Sequence, residues 1–245
     1  MATEEPEWLI ADDPAGKEVL ESMKRGTSAI HWGEYPQDTL NNGSIFFLNT
    51  GKVLFAVTAR HVFESYVEHA RERNITCQIG GMKFDPVSRL ISTGSEIDIA
   101  TFRITPNELA ELRMNTMPWP PFTPPEGNGV LVCGFPGYGR FAHKPGGVTF
   151  SYFSGLMRVD SISDRSISMM RQPNEELVDV LGVGLPGPNL DIGGMSGGPI
   201  AGVQKTPSGL LLWFISGVIV EGHQSFDIIY GARADLINED GTIKG

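Results

Sequence analysis

The segment GGMSGGP, residues Gly193–Pro199, places one serine between two pairs of glycines. Such a turn exposes the Ser196 hydroxyl and brings backbone N–H groups close to a bound carbonyl group, because a Cβ atom would obstruct both the turn and an approaching substrate. A reachable nucleophile and a preformed oxyanion site are the two requirements of acyl-transfer chemistry. The alternative is an ordinary glycine-rich loop, and the rest of the chain has to decide between the two.

The composition favours a β-rich protein and argues against two classes of partner. The chain of 245 residues contains 30 glycines and 17 prolines, which favour many short strands joined by turns over a helical bundle. Asp and Glu outnumber Lys and Arg by 29 to 19, for a net charge of −10. Such a surface repels phosphate backbones and anionic lipid heads, so we expect neither nucleic acid nor a membrane surface as a partner.

Segments that would direct the chain to a membrane or out of the cell are not recognisable. Residues 1–20 are acidic and lack the basic and apolar regions of a secretory signal. The longest apolar stretch, Leu210–Val220, contains a serine and a glycine and is too short to span a bilayer. Cys77 and Cys133 lie in unrelated contexts without metal-ligand spacing, so we predict buried free thiols, no metal and no cofactor. Unless a leader has been removed, these features predict a cytoplasmic protein.

Short apolar, β-rich runs follow one another on both sides of a proline-rich segment. Residues 118–125 (PWPPFTPP) hold five prolines in eight positions and predict a stiff, extended connector. About six strands on each side favour two β-barrels or sandwiches, with a hydrolytic site in the cleft between them. The predicted parts are an N-terminal extension, a first β-unit, a connector, a second β-unit and a C-terminal tail, at residues 1–40, 41–117, 118–128, 129–236 and 237–245.

A serine nucleophile needs a base, and the best candidate is His61. A serine hydroxyl reacts poorly at neutral pH unless a base lies within hydrogen-bond reach. His61 follows the predicted strand Val53–Thr58 and opens a segment of good helix formers, a context that fixes a side chain rigidly. The other histidines have weaker contexts: His31, His69, His143 and His223.

The base in turn needs an acid that orients it, and Asp98 is the best candidate. It interrupts the predicted apolar strand Ile97–Ile104, where a carboxylate is costly to bury without a partner. The alternative is that Asp98 faces solvent on an edge strand. Asp85 is a weaker candidate because it precedes Pro86 and has the character of a turn residue.

Three segments together resemble the signature segments of the chymotrypsin/trypsin-like serine proteases: Thr58–His61, Asp98–Ala100 and Gly194–Pro199. They occur in that family's order of histidine, aspartate and serine. Residues 134–137 (GFPG) also resemble a segment of the family's disulfide-free bacterial branch, which includes HtrA-type proteases. The resemblance covers residues 44–236 and implies two six-stranded antiparallel β-barrels, with the active site in the cleft between them and short helices in the connections.

The resemblance implies a role for each residue of the set. His61 would act as general base and then as general acid, Asp98 would orient it, and Ser196 would be the nucleophile. The backbone N–H groups of Gly194 and Ser196 would form the oxyanion hole.

Two positions depart from the pattern of the family's secreted members. Val62 stands where those members usually carry a cysteine, and Met195 stands where they have an aspartate. That aspartate pairs with a new N-terminal amine after proteolytic activation, and a methionine cannot make this ion pair. We therefore expect control through loop ordering or a partner instead of N-terminal trimming.

The resemblance also extends to substrate binding. The segment Gly217–Gly222 resembles the strand that pairs with the substrate backbone. The implied walls of the specificity pocket are Leu190, Asp191 and Ile192; Val220, Glu221 and Gly222; and Ile228 with Tyr230. An Ile228 side chain in the pocket would favour a small or medium aliphatic residue before the cleaved bond, whereas Asp191 at its base would favour a basic one.

The predicted function is a serine endopeptidase that cleaves protein or peptide substrates through a His-Asp-Ser triad and an acyl-enzyme intermediate. Two alternatives stay open: a catalytically idle protease fold that binds peptides or serves in assembly, and an esterase with the same triad. The intact set of three residues favours an enzyme, since a binding module gains nothing from keeping all three. We expect the acidic, mixed segment before Ser44 to pack on the β-units or to dock a regulatory partner.

Overall fold

Strands dominate the structure and form one open sheet, one closed barrel and a short ribbon. The computed structural model describes residues 14–33, 40–143, 147–170, 193–206, 210–222 and 228–244. The paired strands of these sheets run antiparallel. The predicted all-β class, with two antiparallel β-units and short helices in the connections, is confirmed.

The first unit is an open sheet of seven strands, one more than predicted. Its strands are β1 (Thr27–Trp32), β2 (Asn41–Asn49), β3 (Leu54–Thr58), β4 (Cys77–Ile79), β5 (Met82–Lys83), β6 (Leu90–Thr93) and β7 (Ala100–Arg103). Their order across the sheet is β5-β4-β1-β2-β3-β7-β6. Among the described residues, hydrogen bonds do not join β5 to β6, so this sheet curls without closing.

The second unit is the closed six-stranded barrel that was predicted. Its strands are β8 (Gly129–Gly134), β11 (Phe153–Ile162), β12 (Ser166–Met170), β13 (Pro199–Lys205), β14 (Leu211–Gly222) and β15 (Ile228–Arg233). The ribbon β9 (Arg140–His143) and β10 (Gly147–Phe150) is inserted between β8 and β11. The turn before β13 carries Ser196, and β14 runs past it, so the barrel supplies the candidate nucleophile.

Within the described residues, four short α-helices precede or connect the strands, and one of them positions the candidate base. They are α1 (Pro14–Gly26), α2 (Arg60–Glu72), α3 (Pro86–Arg89) and α4 (Pro106–Leu112). Helix α2 starts directly after β3 and packs its buried Val62 and Tyr66 against the core of the first unit. His61 is therefore held at the junction of a strand and a helix, as the sequence predicted.

The described part of the segment before Ser44, residues 14–33 and 40–43, belongs to the folded protein. Strand β1 pairs with β2 over all six of its residues. Helix α1 buries three apolar side chains in a core cluster that contains residues of both units: Val19, Leu20 and Met23. Residues 14–33 therefore pack on the β-units, and the boundary predicted at residue 40 falls between two paired strands.

The predicted C-terminal tail is also part of the folded protein. Residues 237–244, which we name the C-terminal strap, leave the second unit and pack against the first sheet. The Thr101 hydroxyl on β7 donates to the Gly241 carbonyl at 2.6 Å, and this bond is buried. Ile237 is buried and bridges to Ile243 in the same strap. The strap thus links the second unit back to the first sheet.

Both cysteines are buried and free, as predicted. Burial raises the pKa of the Cys77 thiol to about 12 and that of Cys133 to about 11, so both stay protonated at neutral pH. Within the ranges that the structure describes, no helix is long and apolar enough to cross a membrane. In the same ranges, no group of three or more His, Cys, Asp and Glu side chains could hold a metal ion.

Candidate active site

His61 and Asp98 form a doubly hydrogen-bonded pair at the start of α2. The His61 Nδ1 atom lies 2.6 Å from Asp98 Oδ2, and the His61 backbone N–H donates to Asp98 Oδ1 at 2.9 Å. A carboxylate at Nδ1 favours the tautomer that carries its proton there, which leaves Nε2 as the basic nitrogen. The pair therefore has the chemistry of an oriented general base.

The loop that carries Asp98 is held by Arg60, the neighbour of the candidate base. The Arg60 guanidinium donates from Nη1 to the carbonyls of Gly94 and Ser95, at 2.6 and 2.8 Å. Strand β7 begins only at Ala100, so Asp98 lies in the preceding loop and not within a strand as predicted. From this loop, Asp98 reaches the start of α2 through both of its carboxylate oxygens.

The pKa of Asp98 is lowered by its partners. Burial is the largest single influence and acts to raise this pKa, but the hydrogen bonds and charge of His61, together with the charge of Arg60, outweigh it. Asp98 is therefore ionised at neutral pH. An ionised carboxylate at this place stabilises the imidazolium that forms when His61 takes up a proton.

The glycine-rich turn directs its carbonyl groups into the protein. Four of them accept backbone N–H groups, among them Gly193 O from Gly137 N at 2.5 Å and Met195 O from Gly198 N at 2.9 Å. In a planar trans peptide the N–H points away from the C=O, so the following N–H groups, those of Gly194 and Ser196, face the opposite way. Within the described residues neither of them has an acceptor. They are free to bind an oxyanion.

The first unit reaches across to the same turn through β2. The Ser44 hydroxyl donates to the Gly194 carbonyl at 2.8 Å, and the Ser44 backbone N–H donates to the Ser196 carbonyl, also at 2.8 Å. Ser44 and Asn42, which lies two residues earlier, were not among the predicted site residues. The one available signal was a polar Asn42-Gly43-Ser44 stretch at the head of an apolar strand, since buried polar groups need partners.

The Ser196 hydroxyl lies beside strand β14. It donates to the Val220 carbonyl at 3.4 Å, a long and therefore weak bond that leaves the hydroxyl free to turn. The next residue, Gly197, packs so closely on the Thr58–Ala59 backbone that an added Cβ atom would lie 3.0 Å from Ala59 N. Gly197 therefore lies beside Ala59, two residues before His61 in the chain.

Comparison with known proteins finds a similar fold among solved structures, although no family model and no curated protein matches the sequence. The Rv3671c protease from M. tuberculosis, in its active form, aligns over 91% of this chain and 82% of its own, with a TM-score of 0.52 and 15% identity. A serine endoprotease from Yersinia pestis aligns over 89% and 62%, with a TM-score of 0.47 and 14% identity. The thermostable serine protease AL20, from an extremophilic microorganism, aligns over 87% and 92%, with a TM-score of 0.46 and 13% identity.

The first of these alignments covers both units, and the units meet at Ser196 as described above. The chain has the chymotrypsin-like fold. The resemblance read from the three sequence segments is thus confirmed for the fold. In this chymotrypsin-like fold the first unit carries His61 and Asp98, and the second carries Ser196.

Glycine is required at two positions of the turn in this chymotrypsin-like fold. Gly194 and Gly197 have φ angles of +99° and +87°, which L-residues rarely adopt. A Cβ atom on Gly197 would lie 2.0 Å from the Thr58 hydroxyl and 2.1 Å from the Ser44 carbonyl. The two units therefore approach each other at the turn as closely as backbone atoms allow.

The structure describes part of the predicted specificity pocket. Val220, Glu221 and Gly222 form the end of β14, next to Ser196, and the half-buried Ile228 begins β15. Strand β14 pairs with β15 through Glu221 and Gly222, opposite Tyr230 and Ile229. The third predicted wall, formed by three consecutive residues, lies outside the described residues: Leu190, Asp191 and Ile192.

Proposed function

We propose that this protein is a serine endopeptidase that acts through Ser196, His61 and Asp98. The observation that carries the proposal is the orientation of the glycine-rich turn. Its carbonyls accept hydrogen bonds, while the N–H groups of Gly194 and Ser196 stay unpaired within the described residues. Two free N–H groups beside a serine are the donors that acyl-transfer chemistry needs.

The proposed reaction begins when Ser196 Oγ attacks the carbonyl carbon of a peptide bond. His61 Nε2 accepts the hydroxyl proton, and Asp98 stabilises the imidazolium through Nδ1. The Gly194 and Ser196 N–H groups bind the oxyanion of the tetrahedral intermediate. His61 then gives its proton to the leaving amine, and an acyl-enzyme on Ser196 remains. Water attacks this ester with His61 again as the base, which releases the acid product and restores the Ser196 hydroxyl.

The proposed substrates are proteins or peptides in extended conformation. An extended substrate would add to the end of β14, residues Val220–Gly222, by main-chain hydrogen bonds. This placement puts the bond to be cleaved at Ser196, because the Val220 carbonyl lies within hydrogen-bond distance of the Ser196 hydroxyl.

Control of the activity is proposed to act through loop ordering or a protein partner. Met195 is buried in the apolar core of the second barrel, at 1% exposure. An apolar, buried side chain beside the nucleophile supports a turn that forms without an ion pair to a new N-terminus.

Labelling with a fluorophosphonate probe tests the proposed function. We expect the wild-type protein to be labelled on Ser196 and to cleave an unstructured protein substrate, and the Ser196→Ala variant to do neither. His61→Ala should slow labelling by about 10⁴-fold, since the hydroxyl loses its base. His69→Ala is the matched control, because His69 lies on the same helix and its ring hydrogen-bonds within that helix, to the Ser65 carbonyl.

Two results would contradict the proposed function. One is a wild-type protein that neither reacts with the probe nor cleaves any substrate, yet binds extended peptides with the same affinity as Ser196→Ala; this outcome identifies a catalytically idle binding module. The other is a label that attaches to a residue other than Ser196.

A further inference from the structure

The hydroxyl of Ser44 contacts the candidate oxyanion turn from the opposite unit. Ser44 is fully buried on β2. Its hydroxyl donates to the Gly194 carbonyl at 2.8 Å and accepts the Phe135 backbone N–H at 2.9 Å. The hydroxyl thus both donates a hydrogen bond to, and accepts one from, backbone groups of the second unit.

The backbone of Ser44 is fixed by further bonds to the same region. Its N–H donates to the Ser196 carbonyl at 2.8 Å, and its carbonyl accepts the Thr58 hydroxyl at 2.6 Å. Asn42, two residues earlier, donates from its side chain to the Phe135 carbonyl at 2.7 Å. Hydrogen bonds from β2 thus fix the backbones of Gly194, Ser196 and Phe135 relative to one another.

The Gly194 carbonyl has no second donor among the described residues. A glycine at a φ of +99° has low barriers to rotation of the peptide that follows it. Without the Ser44 hydroxyl this peptide could turn over, and the N–H groups beside it would lose their common orientation. Met195 cannot supply a substitute, because its side chain is apolar and packed in the barrel.

We propose that Ser44 is a positioning residue that presets the oxyanion turn, an inference that rests on the proposed function. It acts through Gly194 and does not touch the substrate. The turn is then formed by a contact between the two units, and any change that separates the units at β2 also disorders the oxyanion site.

The test compares Ser44→Ala with Ser216→Ala in the full-length protein. Ser216 is the matched control, since it is equally buried and its hydroxyl also accepts a backbone N–H, that of Gly202 at 2.9 Å, within the second barrel. We expect Ser44→Ala to lower kcat by about 10- to 100-fold with KM changed less than about twofold, because a donor that is misplaced costs less than a donor removed. A peptide boronate, which forms a tetrahedral adduct on the serine, should bind more weakly by a similar factor. The pH dependence of kcat/KM on its acidic limb should not move, since His61 is unaffected.

The inference is overturned if Ser44→Ala and Ser216→Ala have equal kcat and equal boronate affinity while wild type is active. Failure of the proposed function would look different, because the wild-type protein itself would then be unreactive. If Ser44→Ala does not fold, Ser44→Cys and Ser216→Cys replace the pair. A thiol fills the site but donates weakly, so the same fall in kcat is expected for Ser44→Cys alone, and equal kcat in the two cysteine variants overturns the inference.

Discussion

The two units hold their parts of the site by different means. In the first unit, His61 and Asp98 are joined by side-chain bonds, and Arg60 fixes the loop from within the same unit. In the second unit, the turn around Ser196 is held through its backbone carbonyls, and two of the donors to them come from the first unit. A substitution of His61 or Asp98 should therefore remove activity without changing the fold. A substitution in the turn around Ser196 should instead weaken the contact between the two units.

Asp98→Asn tests the side-chain part of this comparison and has the largest expected effect. An amide cannot hold the His61 proton at Nδ1 or stabilise an imidazolium, so we expect kcat to fall by about 10⁴-fold. Steady-state kinetics with a peptide substrate measure this loss, and circular dichroism should show an unchanged fold.

Asp85→Asn is the control for that substitution. Asp85 also has a lowered pKa, through hydrogen bonds with Ser88 and Val87 at the start of α3, but it lies away from the site. Asparagine is an equally good helix cap, so activity and stability should stay at wild-type values. Equal activity of Asp98→Asn and wild type would show that the pair does not orient a base.

Gly197→Ala tests the backbone part of the comparison. The new Cβ atom would collide with the Thr58 hydroxyl and the Ser44 carbonyl at a positive φ, so we expect a loss of about 4 kcal/mol in the free energy of unfolding. Gly51→Ala is a sharp control, since Gly51 has a φ of +83° and nothing within 4 Å of the added atom. Its cost should be about 1 kcal/mol, and urea denaturation of both variants measures the difference. Equal losses in the free energy of unfolding for Gly197→Ala and Gly51→Ala would mean that the close approach of the units does not contribute to stability.

The burial of His31, where β1 contacts the ribbon, should make the free energy of unfolding depend on pH. His31 is buried with its ring 4.9 Å from that of Phe150 on β10, and burial lowers its pKa to about 4. An unfolded histidine titrates near 6.5, so the unfolded chain takes up the proton first as pH falls and stability is lost between these two values. We expect a loss of about 2 kcal/mol between about pH 7 and about pH 4.5. His31→Gln should remove this part of the pH dependence in urea denaturation, and an unchanged profile would contradict the burial of a neutral ring.

Thr101→Val tests the C-terminal strap and has the smallest expected effect. It removes the buried donor to the Gly241 carbonyl, so we expect a loss of about 1 to 2 kcal/mol in the free energy of unfolding. Thr149→Val, at an exposed position of the ribbon, should change stability by less than about 0.5 kcal/mol. If both variants melt at the same temperature, the strap does not stabilise the first unit.

The sequence was sufficient where the signal is local. The turn around Ser196 depends on glycines that only a tight backbone requires, and the strand-to-helix context of His61 is a contiguous pattern. Strand β1 had no such signal. It is buried along its whole length, with Thr27, Ser28 and His31 among its buried residues, so the alternation of polar and apolar residues that marks a half-exposed strand is missing.

Asp98 and Ser44 are two residues whose structural setting could not be predicted from their neighbours in the sequence. Ile97 and Ile99 are both buried, so they imitate the alternation of a strand around Asp98 although the chain there is a loop. Ser44 is satisfied by groups that are 91 and 150 residues away in the chain. Partners so distant can be identified only when the two units are seen together, which is why the turn around Ser196 was predicted and its support by Ser44 was not.

The central claim is that Ser196 becomes acylated with the help of the His61–Asp98 pair. Mass spectrometry of the intact protein, quenched in acid during turnover of an active ester, tests it most directly. We expect wild type to gain the mass of one acyl group, which peptide mapping assigns to Ser196, and Asp98→Asn to gain it far more slowly. Turnover by wild type without any adduct on Ser196, or an adduct that persists in Ser196→Ala, would contradict the account.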